Sequence, residues 1–173
     1  MENIEVIKTP EEVNQRILSL GSEISRVFGT EPVTMLVVMN GGLFFAAKLA
    51  EAIQLEDFFI DSIAAGSYKN DACTGKVELR STLKLDPRNR HILIVDEVLD
   101  TGRTLKAIRE NLLDLGALSV RTAVLVEKEL PRPDGLEHAD WAGFFMDDRY
   151  LIGCGMDSNE KYRHYPGIAV LSE

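Results

Sequence analysis

The sequence predicts an α/β protein with a mostly parallel central sheet that is flanked by helices. Short, continuous aliphatic runs, which are typical of strands covered on both faces, occur at residues 35–39 and 92–95. Each run leads through a glycine-containing turn into apolar residues at helical spacing, at 43–53 and 105–115. Because strands that alternate with helices form parallel sheets, this order favours the α/β class.

The remaining elements follow from local patterns. Thr9, Pro10 and Glu12 form a capping box with proline at the first helical position, and apolar residues then recur every three or four positions from Val13 to Phe28, which predicts the first helix. Further strands are predicted at residues 58–63, 77–83, 121–126, 141–145, 150–154 and 168–171. No internal repeat or interdomain linker interrupts them, so a single domain over residues 1–173 is expected.

Composition narrows the class of protein. A chain of 173 residues that is 45% hydrophobic suits one well-buried domain. The formal net charge of −9 argues against nucleic acid and anionic membranes as partners. Cys73 and Cys154 lack CxxC spacing, which predicts free thiols, and no signal-peptide or membrane-span pattern is present, so a cytoplasmic location is expected. Without a Walker A or GxGxxG sequence, ATP hydrolysis and dinucleotide redox chemistry lack their phosphate-binding parts.

The segment after the predicted strand at 92–95 combines carboxylates with a hydroxyl-rich turn. Backbone N–H groups at the following helix start, two threonine hydroxyls and a glycine form an anion nest suited to one phosphate. The carboxylates would repel a bare phosphate, so they suit sugar hydroxyls, a divalent cation or proton acceptance. The pattern predicts a site for a phosphorylated, polyhydroxylated ligand at Asp96, Glu97, Asp100, Thr101, Gly102, Arg103 and Thr104.

This run resembles the phosphoribosyl-pyrophosphate motif of the type I phosphoribosyltransferases, in which four aliphatic, two acidic and two aliphatic residues precede Asp-Thr-Gly. An isolated Asp-Thr-Gly turn is compatible with an ordinary helix cap, but the full pattern is specific. The resemblance implies the type I phosphoribosyltransferase fold, with a mostly parallel sheet, a small hood subdomain formed by the chain termini and a flexible active-site loop at about residues 64–82. It also implies a homodimer or homotetramer.

Two further loops are similar to the pyrophosphate-binding parts of the hypoxanthine-guanine branch of this family. Residues 40–42 resemble its Lys-Gly-Gly loop, with asparagine in place of lysine, and residues 67–75 match its Ser-Tyr-Xaa-Asn-Asp-Xaa-Xaa-Thr-Gly loop. By themselves the two segments are compatible with a tight turn and a hairpin tip. The resemblance assigns pyrophosphate contacts to Asn40, Gly41, Gly42, Ser67, Tyr68 and Arg163.

The purine-binding residues are also implied by the resemblance. Lys128, which by spacing alone is a solvated strand end, corresponds to the lysine that donates to the purine 6-oxo group. An ammonium group only donates hydrogen bonds, so it favours a carbonyl over adenine's amino group. Tyr150 would stack on the base, Leu151 would offer backbone groups to the base edge, and Asp157 would line the pocket and meet a magnesium ion.

The implied activity is purine salvage by a pentosyltransferase, which converts hypoxanthine or guanine and phosphoribosyl pyrophosphate to IMP or GMP and pyrophosphate. Mg²⁺ is the expected cofactor, with Asp96, Glu97 and Asp157 as its candidate ligands, and the first two also suit ribose hydroxyls. Asp100 is the candidate general base for the purine N7 proton. Two alternatives stay open, which are a transferase for xanthine and a nucleotide-sensing regulator on the same fold.

Overall fold

A computed structural model describes residues 3–66, 78–79 and 83–172. Most predicted elements are confirmed to within a few residues. The predicted strand at 150–154 is shorter than expected, because only Leu151 and Ile152 form it. Within the described residues the elements are β1 (Asn3–Lys8), α1 (Pro10–Phe28), β2 (Val33–Met39), α2 (Gly42–Ala52), β3 (Phe58–Gly66), β4 (Glu78–Leu79), β5 (His91–Leu99), α3 (Arg103–Asp114), β6 (Ser119–Lys128), β7 (Trp141–Met146), β8 (Leu151–Ile152) and β9 (Ile168–Ser172).

The central sheet has the strand order β4-β3-β2-β5-β6-β7. The five strands from β3 to β7 in this order are mutually parallel, and only the short β4 runs antiparallel to its neighbour β3. Because the parallel strands point the same way, their carboxyl ends and the loops that follow them meet at one edge of the sheet. The predicted fold class, a mostly parallel sheet flanked by helices, is confirmed.

The two faces of the sheet are covered by different helices, since alternate residues of a strand point to opposite sides. Met35 of β2 and Leu93 of β5 pack in a cluster with α1 and α2. Their neighbours Leu36 and Ile94 pack in a second cluster with α3. Each of these four side chains is almost fully buried, and burial of one such side chain stabilises the fold by about 1.5–3 kcal/mol. Both faces of the central strands are therefore fixed.

A second, antiparallel sheet joins the two ends of the described chain in the order β1-β9-β8. It corresponds to the hood that the family resemblance implies. The sequence patterns did not predict β1, because the strand is short, its three apolar residues Ile4, Val6 and Ile7 are interspersed with charged ones, and a strong helix cap follows directly. Pairing with β9, from Asn3 opposite Ser172 onward, stabilises this strand.

Of the segment predicted as an active-site loop, at about residues 64–82, the structure describes only residues 64–66 and 78–79. The strand β3 continues to Gly66, and Glu78 pairs with that residue. The positions 67–77 and 80–82, which include Ser67, Tyr68 and Cys73, lie outside the described residues. None of the helices in the described ranges has the length and apolar character that a membrane span requires.

Beyond this segment, a buried carboxylate ties the chain to β3. Asp61 is 5% exposed, and its Oδ2 accepts hydrogen bonds from the backbone N–H groups of Lys84 and Leu85 at 2.8 and 3.2 Å. Its Oδ1 accepts from the N–H of Ser62 at 2.8 Å. A buried carboxylate is stable when it accepts such bonds, so Asp61 fixes where residues 83–90 begin.

Candidate active site

The carboxyl edge of the central sheet brings together loops that are far apart in the sequence. They are the turn after β2, the end of β5 with its turn into α3, the end of β6, and the chain on both sides of β8. A cavity of about 170 Å³ lies between the last three. It contains all the predicted purine-binding residues together with the predicted general base, and its lining is Glu97, Val98, Asp100, Lys128, Tyr150, Leu151, Met156 and Asp157.

The turn between β5 and α3 forms a second cavity of about 80 Å³. Gly102 has a φ of 72°, in the left-handed region that glycine adopts without strain, and α3 begins at Arg103. Gly102 also provides no side chain to cap the first N–H groups of the helix. Those N–H groups and the helix dipole make this end of α3 suitable for an anion. The lining of the cavity is Asp96, Val98, Leu99, Asp100, Thr101, Gly102, Thr104 and Leu105.

The glycines after β2 allow this turn to lie directly against the acidic end of β5. A Cβ on Gly41 would lie 1.9 Å from Glu97 Oε1, and a Cβ on Gly42 would lie 2.8 Å from the Val95 carbonyl oxygen. On the other side, a Cβ on Gly155 would lie 1.9 Å from the Gly41 carbonyl oxygen. Three loops therefore meet at positions where the glycines leave no room for a side chain of their own. The exposed Asn40, which follows a cis peptide bond, begins this turn.

Asp96 and Glu97 form an acidic pair with unequal surroundings. Burial raises the pKa of Asp96 well above its ordinary value, and the neighbouring charge of Glu97 raises it further. Asp96 Oδ1 accepts a hydrogen bond from the Glu97 N–H at 3.0 Å. Glu97 Oε2 is buried and has no hydrogen-bond partner in the described part of the chain. An unsatisfied buried carboxylate oxygen is costly, so this atom indicates a place for a ligand hydroxyl or a cation.

The predicted magnesium ligands offer the donor type that Mg²⁺ prefers, namely carboxylate oxygens. Within residues 3–66, 78–79 and 83–172, no group of three or more His, Cys, Asp or Glu side chains is arranged to hold a metal by itself. Mg²⁺ is usually held by one or two carboxylates together with waters and substrate phosphate oxygens, so such a group is not required. The unpartnered oxygen of Glu97, in the same cavity as Asp157, fits this mode of binding.

Lys128 lies between two carboxylates at the end of β6. Its side chain is 13% exposed, and its Nζ is 3.8 Å from Asp100 Oδ2 and 2.8 Å from Asp148 Oδ1. Lys128, the predicted hydrogen-bond donor to the purine, and Asp100, the predicted general base, are therefore neighbours in one cavity. Asp148 has no role in the sequence-based interpretation, because it lies in the polar segment 147–149, which is typical of a solvated turn.

Arg163 holds the loop after β8. Its Nη2 lies 2.8 Å from Asp157 Oδ1 and 3.0 Å from Glu160 Oε2, and its Nη1 donates to the Gly155 carbonyl oxygen at 2.7 Å. A contact to pyrophosphate, as predicted, would require the guanidinium to exchange at least one of these partners. Tyr150 is 66% exposed at the mouth of the cavity, where its ring face is accessible to a ligand.

The segment 131–140, to which no sequence pattern assigned a role, packs against the phosphate turn. A Cβ on Gly135 would lie 2.0 Å from the Thr101 carbonyl oxygen, and the Leu136 N–H donates to the Gly102 carbonyl oxygen at 3.0 Å. The segment has neither strand nor helix periodicity, and its contacts are long-range. The only local signal is an arginine between two prolines, Pro131 and Pro133.

Replacing Asp96 with asparagine is expected to stabilise the protein at neutral and basic pH. The pKa of Asp96 is higher in the folded protein than in the unfolded chain, so ionisation of this carboxyl destabilises the fold. The stability that the neutral carboxyl contributes is therefore present below the pKa of the unfolded state and is lost as the pH rises through the pKa of the folded state. Asparagine stays neutral and its Oδ1 can still accept from Glu97. Thermal scans should give Asp96→Asn a higher Tm than the unmodified protein at pH 8, with a smaller difference toward pH 4.

The matched control for this change is Asp134→Asn, because the side chain of Asp134 is 72% exposed. Its Tm should follow that of the unmodified protein at each pH. A Tm difference for Asp96→Asn that does not depend on pH would contradict the assignment of the effect to the ionisation of this partly buried carboxyl.

The fold and the site together define an α/β protein with a cavity at the carboxyl edge of its sheet, where carboxylates lie beside a helix start that no side chain caps and where such sheets bind ligands. Comparison with known proteins identifies the family within this class. Residues 4–150 match the family of the phosphoribosyl transferase domain. The chain therefore belongs to the phosphoribosyltransferase family.

Individual relatives span the whole chain. It is 30% identical to the hypoxanthine-guanine-xanthine phosphoribosyltransferase of Tritrichomonas foetus, over all of this chain and 94% of that protein. It is 28% identical to the hypoxanthine-guanine phosphoribosyltransferase of Streptococcus pneumoniae, over 97% of this chain and 93% of that one. A crystal structure of a hypoxanthine phosphoribosyltransferase from Staphylococcus aureus superposes with a TM-score of 0.90 at 28% identity, covering 97% of this chain and 91% of that chain.

Proposed function

We propose that this protein transfers the 5-phosphoribosyl group of phosphoribosyl pyrophosphate to hypoxanthine or guanine, and releases IMP or GMP and pyrophosphate. The observation that carries the proposal is the cavity that holds Lys128 and Asp100, with the two charged groups 3.8 Å apart. It offers a donor for a 6-oxo group and an acceptor for a ring proton within reach of one flat base. The names of the relatives support the same substrates.

The 5-phosphate and ribose of the donor substrate, and the purine base, each have matching groups in the protein. The first N–H groups of α3, with Thr101 and Thr104, would bind the 5-phosphate. Asp96 and Glu97 would accept hydrogen bonds from the ribose hydroxyls. The base, stacked on Tyr150, would lie in the cavity with its 6-oxo group toward Lys128.

The reaction forms a bond between a purine nitrogen and the anomeric carbon and breaks the bond from that carbon to pyrophosphate, with inversion through an oxocarbenium-like transition state. Asp100 would accept the N7 proton that the purine loses. The backbone amides after β2 and at the start of α3 supply fixed dipoles close to the phosphate groups. When bound, Mg²⁺ would neutralise charge on the departing pyrophosphate, and Asp96, Glu97 and Asp157 are the residues that would hold it.

The test is to mix the protein with phosphoribosyl pyrophosphate, Mg²⁺ and one of four bases, and to follow nucleotide formation by absorbance and chromatography. We expect product with hypoxanthine, guanine or both, none with adenine, and none after chelation of Mg²⁺. Product with xanthine would extend the substrate range toward that named for the Tritrichomonas relative. Nucleotide binding without product from any base would contradict the proposal and favour a nucleotide-sensing regulator.

A further inference from the structure

The segment between β6 and β7 contains a buried arginine for which the proposed reaction has no role. The side chain of Arg132 is 2% exposed. Its Nε donates to the Asp100 carbonyl oxygen at 2.6 Å, and its Nη2 donates to the carbonyl oxygens of Leu99, at 3.0 Å, and of Lys128. Its Nη1 donates to the Glu137 carbonyl oxygen at 2.9 Å. One guanidinium thus joins the main chain at Asp100, the proposed general base, to the main chain at Lys128, the proposed purine-binding residue.

The orientation of this guanidinium is fixed by a buried counter-charge. Glu127 is 2% exposed, and its Oε1 lies 3.7 Å from Arg132 Nη1. The same carboxylate lies 2.6 Å from His138 Nδ1 and accepts the Ala139 N–H at 3.0 Å. Since both partners of the ion pair are buried and hydrogen-bonded, neither can rotate away without leaving a charge unpaired.

A second contact supports the phosphate turn from the same side. The absence of a side chain at Gly135 allows it to lie against the Thr101 carbonyl oxygen, and Leu136 donates its N–H to the Gly102 carbonyl oxygen. Residues 132–136 therefore contact all four carbonyl groups from Leu99 to Gly102, and they do so through backbone or guanidinium groups. These contacts hold the main chain of the turn and leave the Asp100 carboxylate in the cavity.

We propose that Arg132 is a positioning residue for the transfer reaction. It fixes the main chain at Asp100 relative to that at Lys128. The proton acceptor Asp100 and the hydrogen-bond donor Lys128 can then contact the same purine base at a fixed distance from each other. The inference rests on the proposed function, which assigns those two roles. A general base acts only within hydrogen-bond reach, and a planar guanidinium can hold several carbonyl groups at once, whereas an ammonium cannot.

The variant Arg132→Lys tests this inference, because lysine keeps the charge opposite Glu127 and loses the fork of donors. We expect kcat to fall about 10–100-fold, since displacement of a reacting group by about 1 Å costs up to about 10²-fold. The KM for phosphoribosyl pyrophosphate should rise by a smaller factor than kcat falls, because Arg132 holds the main chain of the phosphate turn and is not bonded to Asp96 or Glu97, the proposed ribose ligands. Hydrogen exchange should become faster at residues 100–104 and 128–129.

The matched control is Arg90→Lys. Arg90 is also largely buried, at 17% exposure; it donates to the Val33 carbonyl oxygen at 3.0 Å and pairs with Asp57 at 2.9 Å. It lies beside the amino end of β5, at the edge of the sheet opposite the cavity. A loss of Tm similar to that of Arg132→Lys, with unchanged kcat, is expected. If Arg132→Lys lowers only Tm, or changes kcat and both KM values in parallel, the positioning role is wrong.

A second variant keeps the test decisive if Arg132→Lys does not fold. Gly135→Ala retains the guanidinium but places a methyl group against the Thr101 carbonyl oxygen, so it should displace the turn and lower kcat in the same way. A folded Gly135→Ala protein with unchanged kcat would overturn the inference.

The two proposals can fail separately. If the unmodified protein forms no nucleotide from any base, the proposed function is wrong. Hydrogen exchange then decides the structural part of the inference: faster exchange at residues 100–104 in Arg132→Lys but not in Arg90→Lys supports it, and equal exchange overturns it.

Discussion

Asp100→Ala is expected to lower kcat by about 10²–10⁴-fold, which is the usual contribution of a positioned general base. The carboxylate of Asp100 is 53% exposed, lies in the proposed purine cavity and has Lys128 Nζ at 3.8 Å. It would accept a proton only as the new bond to the purine forms. The KM values should therefore change by a few-fold at most, while kcat and kcat/KM fall together.

Two further variants separate proton acceptance from packing. Asp100→Asn keeps the size and the oxygen acceptor of the side chain but cannot take up the proton, so it should be about as slow as Asp100→Ala. Asp114→Ala removes an exposed carboxylate from the far end of α3, and its kcat should equal that of the unmodified protein. Full turnover by Asp100→Ala would show that another group accepts the proton.

The central sheet and its loops could be predicted because their signals are local. The strands β2 and β5 are continuous aliphatic runs, as burial on both faces requires, and helical spacing begins within a few residues of each. The acidic residues and threonines at the end of β5 and the start of α3 lie within nine positions of one another. Parallel strands then bring the loops that follow them to one edge, so the prediction of a mostly parallel sheet was enough to place most candidate residues in neighbouring cavities.

The parts that sequence could not predict depend on long-range contacts. Arg132 contacts Asp100 across 32 positions, and its burial depends on Glu127, which looks like an ordinary charged strand end in the sequence. The raised pKa of Asp96 follows from how deeply the end of β5 lies in the fold, which no spacing rule gives. The strand β1 similarly exists because β9 pairs with it.

Lys128→Gln is expected to weaken the discrimination between 6-oxopurines and adenine. A hydrogen bond from a charged donor contributes about 1.5–3 kcal/mol, so its loss should lower kcat/KM for hypoxanthine about 10–100-fold. The glutamine amide both donates and accepts, which removes the penalty that an ammonium imposes on an amino group. The ratio of kcat/KM for hypoxanthine to that for adenine should therefore fall, measured with each base at saturating phosphoribosyl pyrophosphate.

Comparison with Lys128→Met separates the two consequences of losing the ammonium. Methionine has no donor and only a weak acceptor, so it should lose hypoxanthine activity without gaining activity on adenine. Lys48→Gln, which removes an ammonium bonded to Asn14 outside the cavity, should leave the ratio unchanged. If Lys128→Met keeps the discrimination of the unmodified protein, other groups of the cavity, such as the backbone at Leu151, must select the base. Lys128 then serves chiefly as the partner of Asp100 and Asp148.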